Sequence, residues 1–149
     1  MLQEDELEEL KSRLRNVFSG YSEVAGGRNY RYQHLKTTHK IVLKLEENLD
    51  VEVDGKVLEI AALYHDIGRS EDIKDGEMDP FEGHEDHAER GAQIVGEYVS
   101  DLVSDEQMEK IEDVIRNHHS KAQTVEGEIV QDADKVSNFG VSNLWRQIH

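Results

Sequence analysis

From Val57 to Tyr64 the chain is apolar nearly all round, and it closes on His65-Asp66-Ile67-Gly68. A helix with no polar face has to be enclosed by other elements, so this segment predicts a central helix wrapped by the rest of the fold. Asp54 is placed to cap its start, and Gly68 reads as its C-terminal stop. An imidazole and a carboxylate side by side at the end of such a run need a partner, because burying either one unpaired is costly. A divalent cation satisfies both groups at once and is the expected partner.

The flanking pattern is helical as well. Leu7, Leu10, Leu14 and Val17 predict a first helix over Glu4–Ser19, followed by a loop marked by Gly20 and Gly26-Gly27. A second helix is expected over Asn29–Asn48, with Leu35, Thr38, Val42, Leu45 and Leu49 as its buried stripe. Residues 69–83 carry Asp75-Gly76, Asp79-Pro80 and Gly83 and read as a polar loop. A fourth helix is expected over Glu85–Val99. A fifth, over Asp105–His119, is opened by a Ser104/Gln107 capping box. A sixth begins near Glu126 and carries Ile129, Val130, Ala133 and Val136. Val51-Glu52-Val53 is too short to build a sheet on, so the expectation is an all-α bundle of about six helices. The chain ends in Asn143-Leu144-Trp145-Arg146-Gln147-Ile148-His149, which reads either as a docked last helix or as a truncated one.

With 149 residues the chain is expected to form one domain, 1–149, with a real core. Lys plus Arg number 17 against 33 for Asp plus Glu, a net charge of −16. That surface repels long nucleic acid and anionic membranes, and an anionic substrate needs a local cation to approach it. The absence of cysteine removes disulfides and thiolate metal sites. No apolar run reaches membrane-spanning length and the acidic start is unlike a signal peptide, which makes a cytoplasmic location the expectation.

Helical geometry sorts the histidines. His34 shares a face with Thr38, Ile41 and Leu45; His87 with Gly91, Ile94 and Tyr98; His118 with Ile111, Val114 and Ile115. His39 lies about 140° round from His34, and His119 about 100° round from His118. His39, His84, His119 and His149 are therefore expected to be solvated or supporting groups, with His84 close to the His87 position. Three inward histidines from three helices, together with His65-Asp66, call for a common partner. Asp132 and Asp134 flank the apolar positions of the last helix, and periodicity does not choose between them.

The ordered set resembles the HD-domain superfamily of metal-dependent phosphohydrolases. Arg31-Tyr32-Gln33-His34 is similar to that family's first histidine segment, and Ala61 to Gly68 to its defining segment. His87-Ala88-Glu89-Arg90-Gly91-Ala92, Ile115-Arg116-Asn117-His118 and Gln131-Asp132-Ala133-Asp134-Lys135 fit its later elements, so the likeness spans roughly residues 30–140. The resemblance implies that His34, His65, Asp66 and Asp134 surround one metal. It implies a second metal held by His87 and His118, with Asp66 bridging. His84, His119 and Asp132 are then supporting or alternate groups. The chain departs from the family pattern at Thr38, at His39 and at Ser137-Asn138, which stands where an acidic residue often follows the closing motif.

A nitrogen and oxygen ligand set of this kind suits Mn²⁺, Fe²⁺, Ni²⁺, Co²⁺ or Mg²⁺, and its imidazole content favours a transition ion. The expected chemistry is hydrolysis of a nucleotide or other small phosphate ester by metal-activated water, with His65 and Asp66 at its centre. Arg69 and Lys135 are candidate phosphate contacts, with Arg28, Arg31 and Lys121 behind them. A di-iron oxygenase on the same scaffold and a metal-holding sensor without turnover are the alternatives.

Overall fold

Asp54 opens the central helix by accepting hydrogen bonds from the Lys56 and Val57 amides, both at 3.2 Å. The computed structural model describes residues 1–18, 30–70 and 87–138, with the backbone of 22–23 and 27–28. In chain order its elements are α1 (Glu4–Phe18), β1 (Ser22–Glu23), β2 (Gly27–Arg28), α2 (Tyr30–Asn48) and α3 (Gly55–Tyr64). A 3₁₀ turn (Ile67–Arg69), α4 (His87–Ile94), α5 (Gly96–Val99) and a second 3₁₀ turn (Ser100–Leu102) come next. Last come α6 (Asp105–Arg116) and α7 (Val125–Lys135). The fold is all-α. Among the described residues the one departure is a two-residue antiparallel ribbon in the segment expected to be loop, pairing Ser22 with Arg28 and Glu23 with Gly27.

Every residue from Val57 to Tyr64 is buried, as an all-round apolar helix demands. Its two sides serve two cores. Ile60, Leu63 and Tyr64 pack with Leu10, Leu14 and Phe18 of α1, Leu35 of α2, and Ile111 and Ile115 of α6. Leu58, Ala61 and Ala62 pack with Val42 of α2, Val114 of α6, and Ile129, Val130 and Ala133 of α7. Each large side chain enclosed this way contributes about 1.5–3 kcal/mol. Leu35, Thr38 and Val42 of the expected α2 stripe are fully buried, but Leu49 lies beyond the helix end and is 44% exposed.

The central helix stops at Tyr64, four residues before Gly68. Gly68 is not a left-handed cap. It is needed because α4 lies directly against it: a Cβ there would sit 2.1 Å from the His87 carbonyl oxygen and 2.8 Å from the Gly91 nitrogen. Gly91 returns the fit, since a Cβ on it would meet Ile115 at 3.1 Å. The two glycines let α4 bring its first residue, His87, up to the end of α3.

The expected fourth helix is divided. Tyr98 donates to the Val95 carbonyl three residues back, the tighter 3₁₀ spacing, just where Gly96 weakens the helix. The Ser104/Gln107 capping box forms as expected. α6 ends at Arg116 rather than at His119, because the Asn117 side-chain amide folds back on Asp113. Among the described residues no helix is long and apolar enough to cross a membrane.

Candidate metal centre

His65 caps the C-terminus of α3, and its Nδ1–H donates to the Ala62 carbonyl at 2.8 Å. A carbonyl only accepts, so in the neutral ring Nε2 presents a lone pair. That nitrogen lies 3.5 Å from Asp66 Oδ2 and 3.2 Å from Asp134 Oδ1. His118 repeats the arrangement just past the end of α6. Its Nδ1–H donates to the Ile115 carbonyl, and its fully buried Nε2 lies 3.5 Å from Asp66 Oδ1 without making a hydrogen bond. Two imidazole lone pairs aimed at carboxylate oxygens leave space that a cation fits, and a buried polar atom without a partner is otherwise costly.

Asp66 sits in the bridge region of backbone space, with φ −101° and ψ 15°, and divides its two oxygens between two clusters. Oδ2 faces His65, His34 Nε2 at 3.7 Å and the Arg31 guanidinium at 2.8 Å. Oδ1 faces His118, with Arg69 Nε at 4.0 Å. The ligand atoms of His34, His65 and Asp66 all lie within 4.8 Å of one another, and so do those of Asp66, His118 and His119. Burial by itself would raise the Asp66 carboxyl, but the charges of His65 and Arg31 override it and hold Asp66 well below the usual carboxylate range. Burial likewise opposes charge on His65, yet Asp66 and Asp134 raise its pKa to about 9. Without a metal, the proton on His65 does the work of a cation.

Periodicity left Asp132 and Asp134 open, and tertiary packing decides between them. Asp134 reaches His34 Nε2 at 2.9 Å, whereas Asp132 is exposed and takes no part. Hydrogen bonds from His34 and His65 hold the Asp134 carboxyl low against the effect of burial. His87 is buried at the start of α4, against the turn that follows Asp66. His84, His149, Pro80 and the Trp145 segment lie outside the described residues.

Three further residues bond to the cluster although none was expected among its metal-holding groups. Ser137 Oγ lies 2.8 Å from His34 Nδ1, and the Asn138 amide donates to Asp134 Oδ1 at 3.2 Å. These are two of the positions where the sequence leaves the family pattern it resembles, so the departure itself was the available signal. The third, Arg31, ranked low among the candidate phosphate contacts but donates to Asp66 Oδ2 at 2.8 Å.

Two expectations about histidines need correction. His39 points away from the cluster, as its angle implies, but it is not solvated. It is 2% exposed and pairs at 3.0 Å with Glu59, a carboxylate inside the central helix whose other oxygen accepts from the Leu2 amide at 2.9 Å. His119 is exposed but not turned away, since its ring lies against that of His118 with centroids 3.9 Å apart. Burial and the neighbouring His118 push the His119 pKa down.

Beside the cluster opens a polar cleft of about 340 Å³, lined by His118, His119, Gln131, Asp134, Lys135 and Asn138. A wider groove of about 640 Å³ between Met1 and α2 is lined by Lys40, Leu43 and Lys44 and holds none of the cluster's residues.

No curated protein matches the sequence. The fold is similar to the crystal structure of a predicted HD superfamily hydrolase from an uncultured Thermotogales bacterium. That likeness has a TM-score of 0.67 at 24% identity and covers 95% of this chain and 74% of the other. The HD-domain family model matches residues 31–138, a span that opens three residues before His34 and closes four after Asp134. The chain belongs to the HD-domain family.

Proposed function

We propose that the protein is a metal-dependent phosphohydrolase acting on a nucleotide or another small phosphate ester. The observation that carries this reading is Asp66, a buried carboxylate whose two oxygens face separate groups of histidines. His34, His65, Asp66 and Asp134 would hold one divalent ion; His87 and His118 would hold a second, with Asp66 shared. Membership of the HD family and the similarity to a predicted HD superfamily hydrolase support the reading. Bound divalent cations supply Lewis acidity, which makes water a competent nucleophile near neutral pH and offsets phosphate charge.

The chain's own groups prepare that chemistry. Ser137, the Ala62 carbonyl and the Ile115 carbonyl orient His34, His65 and His118 through their Nδ1 atoms, leaving each Nε2 directed inward. Asn138 holds one oxygen of Asp134. Arg31 and Arg69 place positive charge beside Asp66, and Lys135 places it at the cleft, so an anion can approach a protein whose net charge is −16. The polar cleft beside the cluster has room for the part of the substrate that carries the phosphate.

The test is anaerobic purification with metal analysis, then a screen of nucleotides and simple phosphate esters with Mn²⁺, Fe²⁺, Co²⁺, Ni²⁺ and Mg²⁺. Hydrolysis that depends on metal and disappears in Asp66→Ala is the expected result. Full activity in Asp66→Ala would sink the proposal. O₂-dependent turnover of a non-phosphate compound with iron would replace it with an oxygenase, and bound metal with no turnover across the panel would replace it with a sensor.

A further inference from the structure

We infer that the outer face of α2 is a self-association surface, on which two copies of the chain pair antiparallel about a two-fold axis at Leu43. Charge is spread unevenly along this chain. Residues 10–45 hold eight of the 17 Lys and Arg residues but only one of the 33 Asp and Glu residues, Glu23. Within α2 the lysines come at positions 36, 40 and 44. The acids Glu46 and Glu47 follow at its C-terminus, with Asp50 just beyond. Lys11 and Lys56 pair within the chain, with Glu8 and Glu6. Among the described residues Lys36, Lys40 and Lys44 have no such carboxylate partner, and Lys36 lies over the Tyr32 ring at 4.8 Å instead.

The spacing of these charges is self-complementary. Counted from Leu43, Lys40 lies three residues back and Glu46 three on, while Lys36 lies seven back and Asp50 seven on. A two-fold axis at Leu43 sets Lys40 of one copy against Glu46 and Glu47 of the other, and Lys36 against Asp50, with each contact made twice. At about 1.5 Å rise per residue, the members of each pair come level along the two helices.

The groove of about 640 Å³ sits at this junction of basic and acidic segments, lined by Met1, Lys40, Leu43, Lys44, Glu46 and Glu47. Met1 is 79% exposed there, and Leu49 and Val51, on either side of Asp50, are exposed as well. An apolar centre with a charged rim is the ordinary anatomy of an interface. Because the face carries both signs, it fits a second copy better than a polyanion, which the net charge of −16 also opposes. His34 lies nine residues before Leu43, about 180° round the helix, so pairing leaves the histidine cluster uncovered.

Sedimentation velocity of the full chain over a concentration series is the test. Wild type should sediment as a dimer at low salt and dissociate progressively as salt rises from about 50 to about 500 mM. Lys36→Glu/Lys40→Glu should weaken association by about a hundredfold or more, because it sets acid against acid, and Glu47→Lys/Asp50→Lys should do the same with bases. An equal mixture of the two variants should recover the dimer, since every pair across the axis is then of opposite sign. That recovery also shows that both variants fold. A wild type still monomeric at about 100 µM and low salt would overturn the inference and leave the lysines to an acidic partner of another sequence. A dimer indifferent to both reversals, or reversals that the mixture does not rescue, would overturn it too.

Discussion

The buried pair His39–Glu59 makes a quantitative prediction that is independent of catalysis. Glu59 is 2% exposed in the middle of the central helix, and its carboxylate has two hydrogen bonds, from His39 at 3.0 Å and from the Leu2 amide at 2.9 Å. His39→Ala removes the first donor and leaves a buried carboxylate half satisfied. Breaking a buried pair from one side costs about 3–5 kcal/mol. At about 2–4 °C per kcal/mol for a chain of this size, that is a fall in Tm of roughly 6–20 °C. His39→Gln keeps a donor and should lose less than half as much. The double variant His39→Ala/Glu59→Gln removes the stranded charge and should recover part of the loss. His39 and Leu2 hold the Glu59 carboxyl below its ordinary value of 4.5 despite burial. A depressed folded-state pKa gives stability that is present above the unfolded value and lost as pH falls through the folded one. The pair's contribution should therefore fade below about pH 4.5, and His39→Ala should flatten that part of the acid-unfolding profile. Urea denaturation across pH 3–7, with Co²⁺ titration alongside, reads both effects. A loss under about 1 kcal/mol, or a loss of metal affinity as large as that in His34→Ala, would refute the reasoning.

Gly68→Ala should cost about 2 kcal/mol or more in denaturant melts, because its Cβ would overlap the His87 carbonyl at 2.1 Å and force α4 off the turn. An unchanged stability would show that α4 does not sit as described. Metal binding should displace the proton held on His65 at a pKa of about 9. Apparent Co²⁺ affinity should therefore rise up to about tenfold per pH unit between pH 7 and 9, with proton release seen by calorimetry in buffers of differing ionisation enthalpy; a flat profile counts against His65 as a ligand. In the metal-free protein the same raised pKa stabilises below the unfolded value of 6.5, and that stability is lost as pH rises through about 9. Ser104→Ala removes the capping box of α6 and should lower stability by about 1 kcal/mol without altering metal stoichiometry.

Much of the candidate site was legible because several of its residues lie on strongly periodic helices. His34 and His118 were assigned inward by the apolar residues on their faces, and both are buried. The helical-face argument failed where the helix itself stopped. α6 ends before His118, so the turn at Asn117, not the 3.6-residue period, sets the direction of His119. Arg31, Ser137 and Asn138 were hard to see because each acts by bonding to another group of the site, which no single-segment pattern encodes. Glu59 was missed for a related reason. One acid in an apolar run reads as tolerated, and only the folded chain shows that His39 and Leu2 meet it.

The sequence by itself determined the all-α class, the enclosure of the helix ending at Tyr64, the Asp54 and Ser104 caps, and the histidines that face inward. These follow from local periodicity and hydrogen bonding within a few residues. Tertiary structure decided what periodicity left open, bringing Asp134 rather than Asp132 to the cluster as the family resemblance implied; it also decided that Gly68 serves close packing rather than helix termination, and how Asp66 divides its oxygens between two sets of histidines. Each of those outcomes depends on atoms brought together from segments tens of residues apart, and it is packing around α3 that brings them together.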